Sequence, residues 1–183
     1  MPVTFGGGIT TLNDIENCLK HGWDKVIINT EIISNPDFAK EAAKMFGSQC
    51  IVISVDYMSD SQGTIQVFSH SGRDTTHLDF YDHLKMINDS EVGEILLTSV
   101  QKEGWMSGMD LEIIPTVQNI VDIPILLNGG VNNPQHIYEG FQSGASAVCA
   151  SSIFSFTQYG YRDIKAFLNE HDIQVRVGKD MFF

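Results

Sequence analysis

Hydrophobic residues along the chain fall into short β-branched runs that alternate with helical segments. The runs are apolar almost throughout, which is typical of parallel strands that are covered on both faces. The pattern therefore predicts a parallel α/β fold. The predicted strands are residues 3–5, 26–28, 51–55, 95–98, 125–127 and 147–150.

Helix-start signals precede three of the segments between these strands. Thr11, followed three residues later by Asp14, is typical of a capping box, and the helix that it opens is predicted to end at Gly22. Asn35-Pro36 and Asn133-Pro134 each place an N-cap residue before a proline at the first helical position. These signals support an alternation of strands and helices.

One segment, at about residues 57–76, breaks this alternation. It contains a turn at Gln62-Gly63 and an alternating run at Ile65 and Val67. This combination predicts a small hairpin inserted in a strand-to-helix loop.

An internal repeat relates the two ends of the chain. Residues 2–9 match residues 124–131 at an offset of 122. Two strand–helix–strand units thus correspond, with four units in one period, and if that period is half of a closed barrel the whole is a (β/α)8 barrel of the TIM type. The match continues at Gly22 with Gly144, Val26 with Val148, and Asn29-Thr30 with Ser151-Ser152.

The predicted barrel is incomplete. Barrels of this type usually have about 250 residues, whereas this chain has 183 residues, six predicted strands and a strand almost at its start. We therefore expect residues 1–183 to form a single partial (β/α)8 domain without the first two strand–helix units, which amount to roughly 60 to 70 residues. Such a sheet has two unpaired edges, so the chain is expected to be unstable or to associate.

Composition limits the kinds of partner. The 23 acidic residues outnumber the 11 basic ones, and the net charge of −12 argues against binding to nucleic acid or to an anionic membrane. No apolar run approaches the roughly 20 residues of a membrane span, and no signal peptide is evident, so we expect a cytoplasmic protein. Small phosphate esters stay possible ligands, because backbone amides bind phosphate without many lysines.

The cysteines and histidines do not indicate a metal site. Cys18, Cys50 and Cys149 are far apart and include no C-x-x-C motif, so neither a disulfide framework nor a zinc cluster is expected. The six histidines lack metal-ligand spacings. We expect no metal and no cofactor.

Two glycine-rich loops are the strongest candidates for ligand binding. Active sites of (β/α)8 barrels lie at the carboxyl ends of the strands, and each half of the repeat has a glycine pair there, followed after the next strand by two small polar residues. Two matching anion sites suggest a substrate with a phosphate at each end, whereas the alternative is that the glycines only turn a strand into a helix. The candidates are Gly7, Gly8, Asn29 and Thr30 in the first half and Gly129, Gly130, Ser151 and Ser152 in the second.

Asp56 is the candidate catalytic residue. It closes the apolar run 51–55, so it is expected at the end of a strand, within reach of a substrate at the barrel mouth. A carboxyl group there is able to act as a general acid or base if partial burial raises its pKa. The alternative is that Asp56 caps the following loop in an Asx turn.

Lys25 and Glu94 are expected at the opposite end of the barrel. Side chains alternate along a strand, so Lys25 shares a face with Asn29, and Glu94 shares a face with Thr98. If Asn29 and Thr98 face the interior at the top, Lys25 and Glu94 face it at the bottom and are able to pair. The pattern alone favours a simple salt bridge.

These motifs together resemble one known family. They are Gly6-Gly-Gly-Ile9, Asp24-Lys-Val-Ile-Ile-Asn-Thr30, Phe46-Gly-Ser-Gln-Cys50, Val55-Asp56, Gly93-Glu-Ile-Leu-Leu-Thr-Ser99, Gly129-Gly130 and Ser152-Ile-Phe154. Over essentially its whole length the chain resembles the HisF proteins, which are the cyclase subunits of imidazole glycerol phosphate synthase in histidine biosynthesis and belong to the HisA/HisF family.

The resemblance implies a lyase that works in a heterodimer with a HisH-like glutaminase. Ammonia from the glutaminase would convert a bisphosphorylated ribulosyl aminoimidazole (PRFAR) to imidazole glycerol phosphate and an aminoimidazole carboxamide ribotide (AICAR). Asp56 would be one of two catalytic aspartates, and Lys25 and Glu94 would belong to the ammonia gate. One phosphate would bind at Gly8, Asn29 and Thr30, and the other at Gly104, Gly130 and Ser152.

The sequence also departs from the family pattern. The other catalytic aspartate has no counterpart, and the usual Asp-Arg-Asp-Gly loop reads Gln101-Lys-Glu-Gly104, in which Glu103 is the remaining acid and a candidate substrate contact. Asn128 replaces a serine. Two other interpretations therefore stay open: a HisF-like subunit that delivers ammonia to another acceptor, as in amidotransfer to cell-surface sugars, and an inactive remnant that only binds the glutaminase.

Overall fold

The β-branched runs form one sheet in the computed structural model, which describes residues 2–176. Residue 1 and residues 177–183 of the predicted domain lie outside the described residues. The strands are β1 Thr4–Gly6, β2 Lys25–Ile28, β3 Ile51–Ser59, β4 Ile65–Ser69, β5 Asp74–Asp79, β6 Glu94–Ser99, β7 Ile125–Asn128 and β8 Ala147–Cys149.

Six of these strands pair in parallel, in the order β1-β2-β3-β6-β7-β8. All six predicted strands are present, and helices connect them. The result is an incomplete (β/α)8 barrel, as predicted, with six of the eight strands among residues 2–176. Within these residues β1 and β8 are the two ends of the parallel ladder.

The two faces of this sheet differ in burial. Residues such as Val26, Ile28, Ile95 and Leu97 point toward the helices and are almost fully buried. The alternating residues of the same strands face the barrel interior and are only half-buried. The main hydrophobic core therefore lies between the sheet and its outer helices.

The predicted helix-start signals are present, with one shift. Thr11 and Asp14 form the capping box of the first helix, and Asn133 Oδ1 accepts a hydrogen bond from His136 N at 3.0 Å. At Asn35-Pro36 the prediction is wrong by one residue: Pro36 is the N-cap residue of this helix, and it makes no side-chain cap hydrogen bond. The helices are α1 Leu12–Lys20, α2 Thr30–Ser34, α3 Asp37–Phe46, α4 Phe80–Asp89, α5 Ile113–Gln118, α6 Pro134–Gln142, α7 Ser152–Phe156 and α8 Tyr161–Glu170, with a short 3-10 helix at Ser48–Cys50.

The segment after Asp56 is an antiparallel extension of the sheet. The end of β3 pairs with β4, and β4 pairs with β5. Asp60 Oδ1 stabilises the first turn by accepting hydrogen bonds from Gln62 N at 2.8 Å and Thr64 N at 2.9 Å. The hydrophobic pattern does not predict β5, because that strand is polar and largely exposed.

The sequence repeat is also a repeat of backbone conformation. Helices α1 and α6 begin and end at equivalent residues, 122 positions apart. The φ angles are +110° at Gly7 and +106° at Gly129, and +72° at Gly8 and +89° at Gly130. Because few residues other than glycine adopt these angles, the repeated glycines fix the same turn twice.

Candidate active site

Strand β3 brings Asp56 to the mouth of the barrel. The ladder pairs Asp56 with Thr98, and Thr98 with Asn128, so the three residues form one polar layer across three strands. The prediction that the strand ends at Asp56 is wrong, because residues 57–59 continue β3 by pairing with β4. Asp56 thus lies on a rigid strand rather than at the start of a loop.

The Asp56 carboxyl group is buried, with 7% of the residue exposed. Burial raises its pKa above the ordinary value, and the negative charge of Glu103 adds to this rise. Hydrogen bonds from the side chains of Ser54 and Asn29 and from the Gly72 amide oppose it; Ser54 Oγ lies 3.2 Å from Asp56 Oδ1. The net upward shift moves the carboxyl pKa in the direction that a general acid or base requires.

The first glycine loop and Asp56 line one cavity of ≈ 800 Å³. Gly7 and Gly8 follow β1, while Asn29 is the N-cap residue of α2 and Thr30 its first residue. The structure therefore brings together all four residues predicted for the first anion site.

A turn that the sequence analysis missed lines the same cavity. It connects β4 to β5 and contributes His70, Ser71 and Arg73. His70 N donates a hydrogen bond to Thr30 Oγ1 at 3.3 Å. The dipeptide Ser71-Gly72 is a signal for a turn, but the turn reaches the barrel mouth only because of the β3–β4 register.

The second glycine loop lies in a much narrower cleft. The cleft has a volume of only ≈ 10 Å³, which is room for about one water molecule. It brings together the predicted second set, Glu103, Gly104, Gly129, Gly130, Ser151 and Ser152. Glu103 and Asn128 line both this cleft and the larger cavity, so the two are neighbours.

The loop from β6 to α5 closes this cleft and is fastened at three points. Val100 N donates to Tyr57 O at 2.9 Å, and Gly108 N donates to Gly130 O at 2.9 Å. The hydroxyl of Tyr57 donates to Asp110 Oδ2, also at 2.9 Å. Glu103 and Gly104 are therefore held against the second glycine loop.

Lys25 and Glu94 lie at the other end of the barrel. Lys25 Nζ forms a salt bridge with Glu94 Oε1. Because β3 lies between β2 and β6, this pair spans a whole strand on the interior face. Both side chains are about one quarter exposed, at 27% and 23%.

Residues 2–176 contain no group of three or more His, Cys, Asp or Glu side chains arranged to hold a metal ion. None of the helices described is long and apolar enough to span a bilayer.

Comparison with known proteins decides the family. The family model described as "Histidine biosynthesis protein" matches residues 1–159. The chain belongs to this family. A curated relative, the "Imidazole glycerol phosphate synthase subunit HisF" of Methanosarcina acetivorans, is 40% identical over 195 residues, an alignment that covers 97% of this chain and 71% of the relative. The HisF resemblance inferred from the sequence motifs is thereby confirmed for this histidine biosynthesis protein.

Membership in the histidine biosynthesis family agrees with the observed fold. The HisF relative is named as a subunit of a synthase that makes a phosphate ester. In the present family member, a buried carboxyl group and the first glycine loop line one cavity, and the second glycine loop lies in the neighbouring cleft.

Proposed function

We propose that this chain is a cyclase subunit of imidazole glycerol phosphate synthase, acting in the cytoplasm as a lyase. Its substrate would be the bisphosphorylated intermediate PRFAR, and its products imidazole glycerol phosphate and AICAR. The observation that carries this proposal is the position of Asp56, which lines one cavity with the first glycine loop at the barrel mouth, while the second loop, of matching backbone conformation, lies in the neighbouring cleft.

In this proposal the two loops bind the two phosphate groups of one substrate. Backbone amides of the Gly7-Gly8 loop, with Asn29 and Thr30, would hold the first phosphate. Gly104, Gly129, Gly130, Ser151 and Ser152 would hold the second after the narrow cleft widens. The reacting centre of the substrate would then lie between the loops, near Asp56.

Asp56 would transfer protons during cleavage and ring closure. Its buried position and raised pKa support this role, since a carboxyl group that titrates closer to neutral pH both accepts and returns a proton more readily. Ser54 supports it as well, because its hydroxyl orients the carboxylate.

Ammonia would enter from the opposite end, where Lys25 and Glu94 would form part of its gate. A HisH-like glutaminase would dock there as the second subunit of a heterodimer. On the interior face between the salt bridge and Asp56, β2 contributes Ile27, and Leu96 of β6 pairs with Leu126 of β7 and with Ser54 of β3. The three apolar side chains would let neutral ammonia pass while offering no charge to bind an ammonium ion.

The test is a cyclase assay with ammonium salt and the bisphosphate substrate, in which both products are measured. It is run on this chain and on a fusion that adds two strand–helix units ahead of residue 1. Product formation by either protein, abolished by Asp56→Asn, is the expected result. Absence of product from both, with the fusion folded and binding substrate, would overturn the proposal.

One observation favours a second function, delivery of ammonia to a different acceptor. The second loop lies in a cleft of only ≈ 10 Å³, and the β6–α5 segment that closes it has Gln101 where the usual family pattern has an aspartate. A cleft this narrow does not admit a phosphate group unless it opens. Glutaminase-dependent transfer of ammonia without cyclase products would support this function, as opposed to an inactive remnant that binds the glutaminase without turnover.

A further inference from the structure

The turn between β4 and β5, residues 70–73, lines the same cavity as the first glycine loop and contacts the start of α2. His70, Ser71 and Gly72 have φ angles of +50°, +60° and +75°, and the backbone of His70 is hydrogen-bonded to Thr30. Three successive left-handed residues make a tight reversal, and two of them carry side chains that are uncommon in this region. The turn is thus held in a strained conformation at the edge of the cavity.

The charges around this cavity are unevenly distributed. Its acidic side chains, Asp56 and Glu103, come from β3 and the β6–α5 loop. The basic side chains that line it are His70 and Arg73, and both come from the turn. The positive charge available to a phosphate group in the cavity therefore comes from this one turn.

The two basic side chains differ in their partners. His70 Nδ1 lies 3.0 Å from Asp74 Oδ2, so a nearby carboxylate already faces its ring. Arg73 is exposed, and among residues 2–176 its guanidinium forms no ion pair. An unpaired guanidinium that lines a cavity in a chain of net charge −12 is available for an anionic ligand.

We propose that Arg73 binds the phosphate group held at the first glycine loop and determines the preference of this end of the cavity for a phosphate monoester. The inference rests on the proposed function, because it assumes that this loop binds a phosphate. It adds a residue from the β4–β5 turn to a site otherwise built from β1, β2 and α2.

The chemistry suits this role. The planar guanidinium donates two parallel hydrogen bonds to phosphate oxygens and keeps its charge at all relevant pH values. Backbone amides of the glycine loop supply hydrogen bonds but no net charge. Arg73 would neutralise the dianion and offset the repulsion from Asp56 and Glu103.

The experiment measures binding of inorganic phosphate and of glycerol phosphate by calorimetry. It compares the unmodified chain with Arg73→Gln, Arg73→Lys and the control Arg162→Gln, which removes the same charge from α8. We expect Arg73→Gln to weaken binding of both probes about 10- to 100-fold. Arg73→Lys should recover part of that loss, and Arg162→Gln should bind as the unmodified chain does.

The outcomes separate this inference from the proposed function. If the unmodified chain binds phosphate and Arg73→Gln binds it equally well, the role of Arg73 is refuted while the glycine loop keeps its function. If the unmodified chain binds neither probe, both the loop's function and the role of Arg73 are refuted. Circular dichroism of each variant shows whether a loss of binding reflects a loss of fold, and Arg73→Lys, which keeps the charge, provides a second test in that case.

Discussion

The two glycine loops share a backbone conformation but not an environment. The first, Gly7-Gly8, opens onto a cavity of ≈ 800 Å³ beside a turn that carries Arg73. The second, Gly129-Gly130, lies in a cleft of ≈ 10 Å³ beside the carboxyl group of Glu103. The equivalent glycines nevertheless have φ angles that differ by less than 20°.

The difference shows which parts of the chain set the charge and the space beside each glycine loop. The strand–helix frame repeats and supplies the same turn twice. The segments that surround each turn do not repeat: a β-extension lines the cavity of the first loop and contacts Thr30. The β6–α5 loop, fastened through Gly108 and Asp110, borders the second loop. The conformation of each glycine turn thus comes from the strand–helix frame, while the charge and the space beside it come from the segments that do not repeat.

The largest expected effect is on turnover after substitution of Asp56, because both loops would position the substrate near this residue. Asp56→Asn keeps the shape of the side chain but cannot transfer a proton, so cyclase turnover should fall about 10²- to 10⁴-fold while the Kd for substrate changes little. Steady-state kinetics and calorimetry measure the two quantities. Asp82→Asn, on the exposed side of α4, is the matched control, and unimpaired turnover in Asp56→Asn would refute the catalytic role.

Substituting equivalent glycines tests the difference in space directly. At Gly8 no atom lies near a new Cβ, so Gly8→Ala should lower the free energy of unfolding only by about 1–2 kcal/mol, the strain of a left-handed residue. At Gly130 a Cβ would overlap the carbonyl oxygen of Gly108, so overpacking adds about 1–3 kcal/mol to that strain. Denaturant unfolding of both variants measures the gap, and equal losses would contradict the difference in packing.

Charge substitutions at equivalent helix starts test whether both loops bind phosphate. Thr30→Glu and Ser152→Glu each place a carboxylate beside one loop, and each should raise the Kd for a bisphosphate substrate by about 10-fold through repulsion. If only Thr30→Glu weakens binding, the second loop does not hold a phosphate. The substrate then carries its second charged group elsewhere, as the ammonia-delivery alternative requires.

The smallest effect is a pH dependence of stability that arises from Asp56. Its pKa is raised on folding, so the folded state binds the proton more tightly, and stability falls as pH rises from the ordinary value of 3.8 through the raised one. Asp56→Asn removes this penalty and should therefore be more stable than the unmodified chain at pH 7, with the advantage disappearing below about pH 3.8. Thermal unfolding across this range measures it; a difference that is constant with pH would argue against the raised pKa.

Much of the frame could be predicted from the sequence because its signals are local. Continuous apolar runs indicate parallel strands, and Thr11 and Asn133 mark helix starts by the hydrogen bonds that their own side chains make. The glycines that lie 122 positions apart predicted equivalent turns, because a backbone with a positive φ angle favours glycine whatever surrounds it. The pairing of Lys25 with Glu94 could be predicted because side-chain alternation determines which residues of each strand face the interior.

The features that could not be predicted from the sequence depend on contacts between residues far apart in the chain. Strand β5 is polar, so its hydrogen bonds to β4, rather than burial, decide its conformation. Arg73 reaches the cavity only through the register of β3 with β4, which sequence patterns do not encode. The narrowness of the second cleft likewise follows from how the β6–α5 loop packs on Gly130, and loop packing leaves no periodic signal.

The matching bounds of α1 and α6 have an evolutionary consequence. When one half of a protein duplicates and both copies keep the same strands and helices, each copy is able to acquire different loops and extensions without disturbing the other. A single ancestral pocket is then able to become two unlike pockets at a fixed separation, and that separation limits the length of a molecule that contacts both. Sequence changes in the segments beside each pocket would suffice to change which molecules fit.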